Sequence, residues 1–594
     1  MGAFEPLQYD PVVIERHYRQ QPRQVWKRGL AIARTFSHFG LSLGWDWLSR
    51  RLPQNQPRRA CQLRQTLARL GPTFIKLGQI LSCRPDLIPP TYLAELANLQ
   101  DQLAPFPTAT AHRLIEQELG RSYDRIYAEL SAEPVAAASL GQVYKGKLKT
   151  GETVAVKVQR PDLMADVVSD LFLLRQLAAW IQNNISIVYS DLVAIVDELA
   201  ARLFEEMDYI CEGRNAQRFA RLYGDIPGIY VPRIYWQYTR HRVLTMEWID
   251  GTKLTQVEAS KEQGWDGASL VELGFRCSLR QLLEAGFFHA DPHPGNLLAT
   301  ADGKLAYLDF GMMSQVDPYY RDRILESIIH ILTGDFEALA QDYVNLEFLP
   351  PETDTAALTP ELATVFDNAA NTNVSEFGFK SIIEQLTPLI YEYPFRLPTY
   401  YLLIFRSFAA LEGLALNINP QFQPFAHSYP YIAQRLLTDP SPSLRTCLQQ
   451  LVFKDGAVRW HLLENLVHQA CAVEGWDRSN LLRQGFDFLY SEQGQDLRRL
   501  LVEEIATQLA DFPERTLRQL SLALGWATVA PRSPEVSTLA QLRMLWNTAI
   551  AASGSSLDTA AQLIGQILRA ETRALGHQVA DEWGKRLMAQ LLPQ

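Results

Sequence analysis

A chain of 594 residues is too long for one hydrophobic core, and a typical domain of about 100–200 residues implies roughly three to five units. Its 47% hydrophobic and 21% charged residues exclude wholesale disorder. The six cysteines (Cys61, Cys83, Cys211, Cys277, Cys447, Cys471) show no CxxC spacing, so neither a zinc site nor a disulfide framework is indicated and a reducing compartment is the default.

The net charge of −10 is uneven: residues 1–64 carry eleven Lys/Arg against four Asp/Glu, leaving −17 for the remainder. This first segment reads as a basic helical arm. It also holds Trp26, Phe36, Phe39, Trp45 and Trp47, and basic plus aromatic residues on helices suit an anionic membrane surface, with a solvated basic face packed on an acidic body as the alternative. No recognised nucleic-acid module accompanies the charge, so nucleic acid is not an expected partner. A helical segment covers residues 65–130. It contains Leu70-Gly71-Pro72-Thr73-Phe74-Ile75-Lys76-Leu77-Gly78-Gln79, where Lys76 and Gln79 share one helical face and Gly78 costs about 1 kcal/mol relative to Ala unless something packs closely there.

Residues 131–250 read as strand-rich. Val143–Leu148, a turn at Lys149-Thr150-Gly151, and Thr153–Val158 form a hairpin whose second strand matches the Val-Ala-Ile-Lys pattern. Lys157 therefore sits among β-branched residues, where an ammonium needs anionic partners such as ATP phosphates and a helical carboxylate. A kinase loop preceding this hairpin would be rich in glycine; here it is Ala136-Ala137-Ala138-Ser139-Leu140-Gly141-Gln142, a stiffer lid. One helix is expected from Asp191 to Tyr223, with Asp208, Glu212 and Asn215 on one stripe, and spacing alone does not say which Glu pairs with Lys157. The strand Val243–Trp248 enters a hinge where backbone groups near Glu247 and Trp248 are expected to be free for adenine.

A helical segment with two short strands, residues 251–436, carries His289-Ala290-Asp291-Pro292-His293-Pro294-Gly295-Asn296 and then, after the strand Leu305–Leu308, Asp309-Phe310-Gly311. An Asp and an Asn five residues apart can place a carboxylate beside an attacking oxygen and an amide on Mg²⁺, while the second Asp bridges metal to phosphate. That combination is the phosphoryl-transfer core of a kinase-like fold. The most apolar stretch, Tyr400–Ile418, contains Arg406 and Glu412, each costing about 2.5–3.5 kcal/mol at a bilayer centre, so no spanning helix is expected. Neither a signal peptide nor a myristoylation site is indicated, since Pro6 replaces the Ser/Thr such a site needs. The expectation is an intracellular protein, cytoplasmic or peripheral on a membrane. Thr438–Ser443 looks like a linker, and Leu497, Leu501, Ile505, Leu509 and Phe512 recur at helical spacing in the region 437–594.

With Lys76-Leu77-Gly78-Gln79 and the run through Ser82, Arg84-Pro85-Asp86-Leu87-Ile88-Pro89 to Leu99-Gln100-Asp101, residues 65–435 resemble the UbiB family of atypical kinase-like proteins, whose KxGQ signature ordinary kinases lack. The resemblance implies an α+β, bilobal protein-kinase-like fold with an N-terminal helical KxGQ extension and a C-terminal helical extension. It implies that ATP is held by Ala136, Ala137, Ala138, Ser139, Gly141, Val143, Ala155, Lys157, Glu212, Glu247 and Trp248. Asp291 and Lys157 would be catalytic, Asn296 and Asp309 would bind Mg²⁺, and Glu212 would pair with Lys157. Lys76 would enter the site and meet Glu206 and Asp208, with Gln79 beside it, where a peptide substrate would otherwise lie. Ala290 stands where an Arg would follow the catalytic His, so activation through a phosphorylated loop is not expected. The implied role is an ATPase or phosphotransferase serving prenyl-quinone or related isoprenoid-lipid biosynthesis, with a quinone-type lipid or lipid-biosynthesis proteins as partners. The rivals are a small-molecule phosphotransferase of the aminoglycoside or choline kinase type and a nucleotide-binding scaffold without turnover.

Overall fold

The protein is described from a computed structural model covering residues 6 and 8–459, apart from 83, 85–87, 100–103, 185–190, 257–265, 372–385, 387, 391, 394, 421, 439–440, 442–443, 445–447, 449–450 and 455–456; beyond these, only 466 and 499 are described. Its contacts group the chain into two compact units: 1–317 with 344–353 and 378–422, and 318–343 with 354–377 and 423–594.

The first unit opens with α1 (Pro11–Arg19), α2 (Pro22–Leu48), α3 (Leu52–Leu70), α4 (Pro72–Leu81) and α5 (Pro90–Leu96), each with a proline in its first turn. Proline has a helical φ already and lacks an N–H that this turn would leave unpaired, so these prolines mark where helices begin. The basic arm docks by one side. Ile14 and Tyr18 are buried against Val167, Leu171, Leu203 and Phe204, and Arg28 forms a double hydrogen bond to buried Asp170 at 2.6 and 2.8 Å. Gly78 explains itself here: a Cβ on it would meet Leu99 Cδ1 at 2.3 Å, so glycine is what lets α4 close on Leu99.

After α6 (Thr108–Leu119) and α7 (Tyr123–Ile126) come β1 (Tyr127–Leu130), β2 (Ala136–Ala137), β3 (Gly141–Leu148) and β4 (Thr153–Gln159). Three helices follow, α8 (Leu163–Asn184), α9 (Leu192–Met207) and α10 (Tyr209–Tyr223), and then β5 (Ile229–Tyr230), β6 (Val243–Glu247) and β7 (Gly251–Lys253). The unit continues through α11 (Gly267–Arg280), β8 (Phe287–His289), β9 (Leu297–Thr300), β10 (Leu305–Tyr307) and β11 (Met313–Gln315). An antiparallel sheet runs β1-β3-β4-β6 with β2 on β3; a second runs β5-β10-β9-β7, and β11 pairs with β8. The β3–β4 hairpin turns at Gly151, whose φ of 107° only glycine adopts freely. One face of it, Tyr144, Val154, Val156 and Val158, is buried against Ala111 and Ile115 of α6.

Two expectations change. Residues 131–250 are not mainly strand, since α8, α9 and α10 lie within them. The single helix expected over Asp191–Tyr223 breaks at Asp208, which is extended (φ −94°, ψ 101°) and accepts from Ile210 N at 2.9 Å as the N-cap of α10. A short carboxylate that satisfies an orphan amide competes with helix continuation, so Asp208 ends one helix and starts another.

Helix 399–418 belongs to the first unit; it is the one described helix long and apolar enough to cross a membrane, and half of its apolar window is buried. The second unit contains the helices Pro318–Thr333, Thr355–Asn371 and Pro424–Thr438, with His330 Nδ1 2.6 Å from Asp342 Oδ2. Most of the expected linker and the Leu497–Phe512 periodicity lie outside the described residues.

Candidate active site

Lys157 lies opposite Val143 on β3 and Leu244 on β6, alternating away from the face that Val156 and Val158 bury. Its Nζ reaches both Glu212 oxygens at 2.9 Å and Asp309 Oδ2 at 3.0 Å, and lies 5.2 Å from the centre of the Tyr209 ring. Two carboxylates thus share one ammonium. Burial alone would lower the Lys157 pKa, but Asp309 and Glu212 overcome it and the net shift is well upward. Burial pushes Glu212 up to about 7, aided by the charge on Asp309 and opposed by Lys157. At Asp309 burial is again the largest influence and acts upward, yet Lys157 and the Gly311 N–H, donated to Oδ1 at 2.9 Å, hold the carboxyl below its usual range. Its side chain keeps about a third of its exposure (35%), so water shares in that balance.

The position of Glu212 follows from the break at Asp208, which puts it in the first turn of α10. Farther along that helix Asn215 Nδ2 donates to Phe310 O at 3.1 Å, tying α10 to the Asp309-Phe310-Gly311 segment. Asn296 closes a short turn, its N–H donating to His293 O at 2.8 Å, and its carbonyl accepts from Leu308 N at 3.0 Å. The metal-ligand candidates Asn296 and Asp309 therefore flank one backbone hydrogen bond between neighbouring segments.

His289 is buried and its pKa is lowered by burial, which favours the neutral ring. Nε2–H donates to Asp309 O at 2.6 Å, and Nδ1 accepts from Asp291 N at 3.2 Å. Gln281 Oε1 takes the His289 N–H at 2.9 Å. This imidazole holds the Asp291 and Asp309 segments together. Asp291 itself extends to Arg406, Oδ2 to Nη2 at 3.0 Å.

The Ala-rich segment is not an open lid. Ala136 and Ala137 pair with Val143 and Gln142, Ala138 N donates to Gly141 O at 2.7 Å, and Ser139 is buried. Gly141 is required for packing, since a Cβ there would meet Tyr209 Oη at 2.4 Å and Val158 O at 2.6 Å. Tyr209 Oη is buried without a hydrogen-bond partner, a polar atom left over beneath the hairpin. Ala155 is buried in β4, beside Leu244 and Met246.

At the expected hinge the backbone is less free than supposed. Glu247 N donates to Arg233 O at 2.8 Å and Trp248 N to Thr153 O at 3.1 Å, because β6 continues its pairing to this point. The Glu247 carboxylate accepts from Tyr230 Oη at 2.7 Å, and Trp248 Nε1 donates to Asp250 at 2.7 Å.

Lys76 is buried on α4, 2.5 Å from Glu206 Oε1 near the end of α9. Asp208 does not join them: its Oδ1 takes His241 Nδ1 at 2.8 Å as well as the Ile210 N–H, a consequence of its capping role. Gln79 Nε2 donates to Leu99 O at 3.3 Å. Lys76, Gln79 and Glu206 line a cleft together with Ala290, Gly311 and Arg406. A Cβ on Gly311 would lie 3.4 Å from Glu206 Cγ, so the Lys76–Glu206 pair rests directly against the Asp309 segment. Sequence reasoning did not assign Arg406, His241 or Gln281; only Arg406 left a signal, as a charge in an apolar helix.

A model of the ABC1 atypical kinase-like domain matches residues 98–343. The chain is 53% identical over 87% of its length to the uncharacterised protein sll0005 of Synechocystis, covering 76% of it. It is 44% identical over its full length to the protein Activity of bc1 complex kinase 3, chloroplastic, of Arabidopsis thaliana, covering 86% of that protein. A solved complex of Rv3197 with erythromycin, from Mycobacterium tuberculosis, aligns with 64% of this chain and 97% of its own at 23% identity and a TM-score of 0.43. The chain belongs to the ABC1 atypical kinase-like family, the UbiB family, and its fold is the mixed helix-and-sheet kinase-like fold of that family.

Proposed function

We propose that this protein binds ATP with Mg²⁺ and hydrolyses it or transfers its γ-phosphoryl group, in support of prenyl-quinone or related isoprenoid-lipid metabolism at a membrane. The observation that carries the catalytic half is the sharing of Lys157 by Glu212 and Asp309. Two carboxylates on one ammonium leave surplus negative charge; the upward push on Glu212 comes first from burial, with the Asp309 charge adding to it. Such a site suits a hard divalent cation that brings phosphates with it. Asp309 and Asn296 offer oxygen donors, and Mg²⁺ usually takes only one or two protein ligands beside nucleotide phosphates.

Bound there, Mg²⁺ would neutralise charge on the phosphates of ATP. Lys157 would trade part of its carboxylate company for phosphate oxygens while Glu212 keeps it oriented. Asp291 would receive a proton at its carboxylate from the attacking hydroxyl or water, and His289 would hold that loop against Asp309. The Lys76–Glu206 pair lines the same cleft as Ala290 and Gly311, and the family resemblance puts it where a peptide substrate would lie, so the reading is ATP hydrolysis or transfer to a small acceptor rather than protein phosphorylation.

The membrane half rests on α2. Trp26, Leu30, Leu41, Trp45 and Leu48 are exposed at helical spacing, Trp26 to 78%, with Arg23, Lys27 and Arg34 also exposed on that helix. An aromatic and apolar stripe with basic residues interspersed on the same helix face suits an anionic lipid surface. The catalytic proposal is tested by titrating Mg·ATP and measuring phosphate release, with added lipid alcohols and aminoglycosides to detect transfer. Neither binding nor turnover would overturn it. Co-sedimentation with anionic vesicles tests the membrane role: Trp26→Ser with Trp45→Ser should weaken binding, as should raised salt, and equal sedimentation would reject α2 as the contact.

A further inference from the structure

The chain's most apolar helix, residues 399–418, carries Arg406 into the candidate active site. Its guanidinium Nη2 lies 3.0 Å from Asp291 Oδ2, with both side chains about four-fifths buried. The next residue, Ser407, is buried and donates to His289 O at 2.9 Å. Phe408 then packs edge to face on Phe275 of α11 at 5.3 Å between ring centres. Three successive residues thus fasten this helix to the catalytic loop and the helix behind it. The loop lacks a cation of its own beside the acid: Ala290, buried, precedes Asp291, and Pro292 follows.

We propose that Arg406 is the positioning residue for Asp291, a cation supplied from 115 residues downstream that fixes the acid's rotamer and compensates its charge. This inference rests on the phosphoryl-transfer reading of the site and adds the residue that orients its proton acceptor. The geometry has a direct chemical meaning. With Oδ2 held by the guanidinium, Oδ1 is the oxygen presented to an attacking hydroxyl or water, and a planar guanidinium fixes a carboxylate more firmly than a mobile ammonium does. Arg406 also lines the cleft with Lys76 and Glu206, on the side where an acceptor would enter.

The experiment compares ATP hydrolysis by the full chain with Arg406→Gln, Arg406→Lys and Phe408→Leu. Arg406→Gln should lower kcat by roughly ten- to a hundredfold, the usual range for losing an orienting partner, with the KM for ATP unchanged. Arg406→Lys should recover part of the loss. Phe408→Leu loosens the same helix and should lower Tm without lowering kcat. An unchanged kcat in Arg406→Gln, or an equal loss in Phe408→Leu, overturns the proposal while leaving the ATPase reading standing. If Arg406→Gln does not fold, full activity of Arg406→Lys with a lower Tm overturns it in the same way. Absence of Mg·ATP turnover in the unmodified protein overturns the underlying reading, and this one with it.

Discussion

Two lysines in the first unit, Lys76 buried and Lys157 partly buried, meet glutamates from consecutive helices, and they are built differently. Lys76 sits on α4 with Glu206 beside it, while Lys157 sits on β4 between Glu212 and Asp309. The first sets a cation 2.5 Å from the Glu206 carboxylate. The second is one cation with two carboxylates, a cluster short of positive charge. Burying an ion is costly unless it is compensated, so the Glu206 carboxylate compensates Lys76 in the folded chain, whereas the Lys157 cluster is the one to which we assign Mg·ATP. The difference separates a clasp from the proposed nucleotide site.

The comparison breaks most sharply at Asp309. Asp309→Asn removes the surplus charge, so Mg-dependent nucleotide binding and turnover should fall by at least about a hundredfold, the scale of losing a key electrostatic group, with the fold retained by circular dichroism. Unchanged Mg·ATP affinity would mean the cluster is structural too.

Next comes the clasp. Lys76→Ala or Glu206→Ala should each destabilise by about 3–5 kcal/mol, because each removes a partner from a buried charge, and the double variant should cost less than the sum. Each should also change ATP turnover or permit autophosphorylation. Strict additivity in denaturant melts would show that the two groups act separately.

The acidity of Glu212 sharpens the contrast. Its folded pKa near 7 lies above its usual 4.5, so the native protein holds a proton that the unfolded chain has lost. Its contribution to stability is full below about 4.5 and is lost as pH rises through 7. Nucleotide-free Glu212→Gln should therefore show a more positive slope of Tm against pH between 4.5 and 7 than the parent, and parallel slopes would mean that Glu212 titrates normally.

The smallest effect is expected at Ala137. Because Ala137 pairs with Gln142 in a closed hairpin, Ala137→Gly should cost no more than about 1 kcal/mol and shift ATP or ADP affinity only a few-fold. Identical titrations of both nucleotides would place this hairpin outside the phosphate contacts.

Much of this site was readable because its chemistry is local. The hairpin shows as alternation, and Asp291, Asn296 and Asp309 lie within 19 residues, so spacing alone brings them together. The choice of Glu212 required knowing the helix register, and the register required seeing that Asp208 caps rather than continues; an Asp before Tyr209 in an otherwise helical run was the available cue. The helix α8 was missed because its apolar residues do not keep to one stripe. The pairing of the Glu247 and Trp248 N–H groups with Arg233 and Thr153 leaves no mark in the sequence near the hinge. Arg406 looked merely unsuited to a bilayer, since an ion pair spanning 115 residues has no periodic signature.

The joint at Asp208 has one more consequence. Glu206 and Glu212 are separated by five residues and one non-helical pair of dihedrals, so the clasp and the proposed binding site share a single support. Sites joined in this way obey reciprocity: whatever factor by which ATP tightens or loosens the Lys76–Glu206 contact, a molecule that tightens or loosens that contact changes ATP affinity by the same factor. A compound that wedges α4 away from α9 is therefore a modulator of nucleotide binding without ever touching the nucleotide, and the magnitude of its effect can be read from either end.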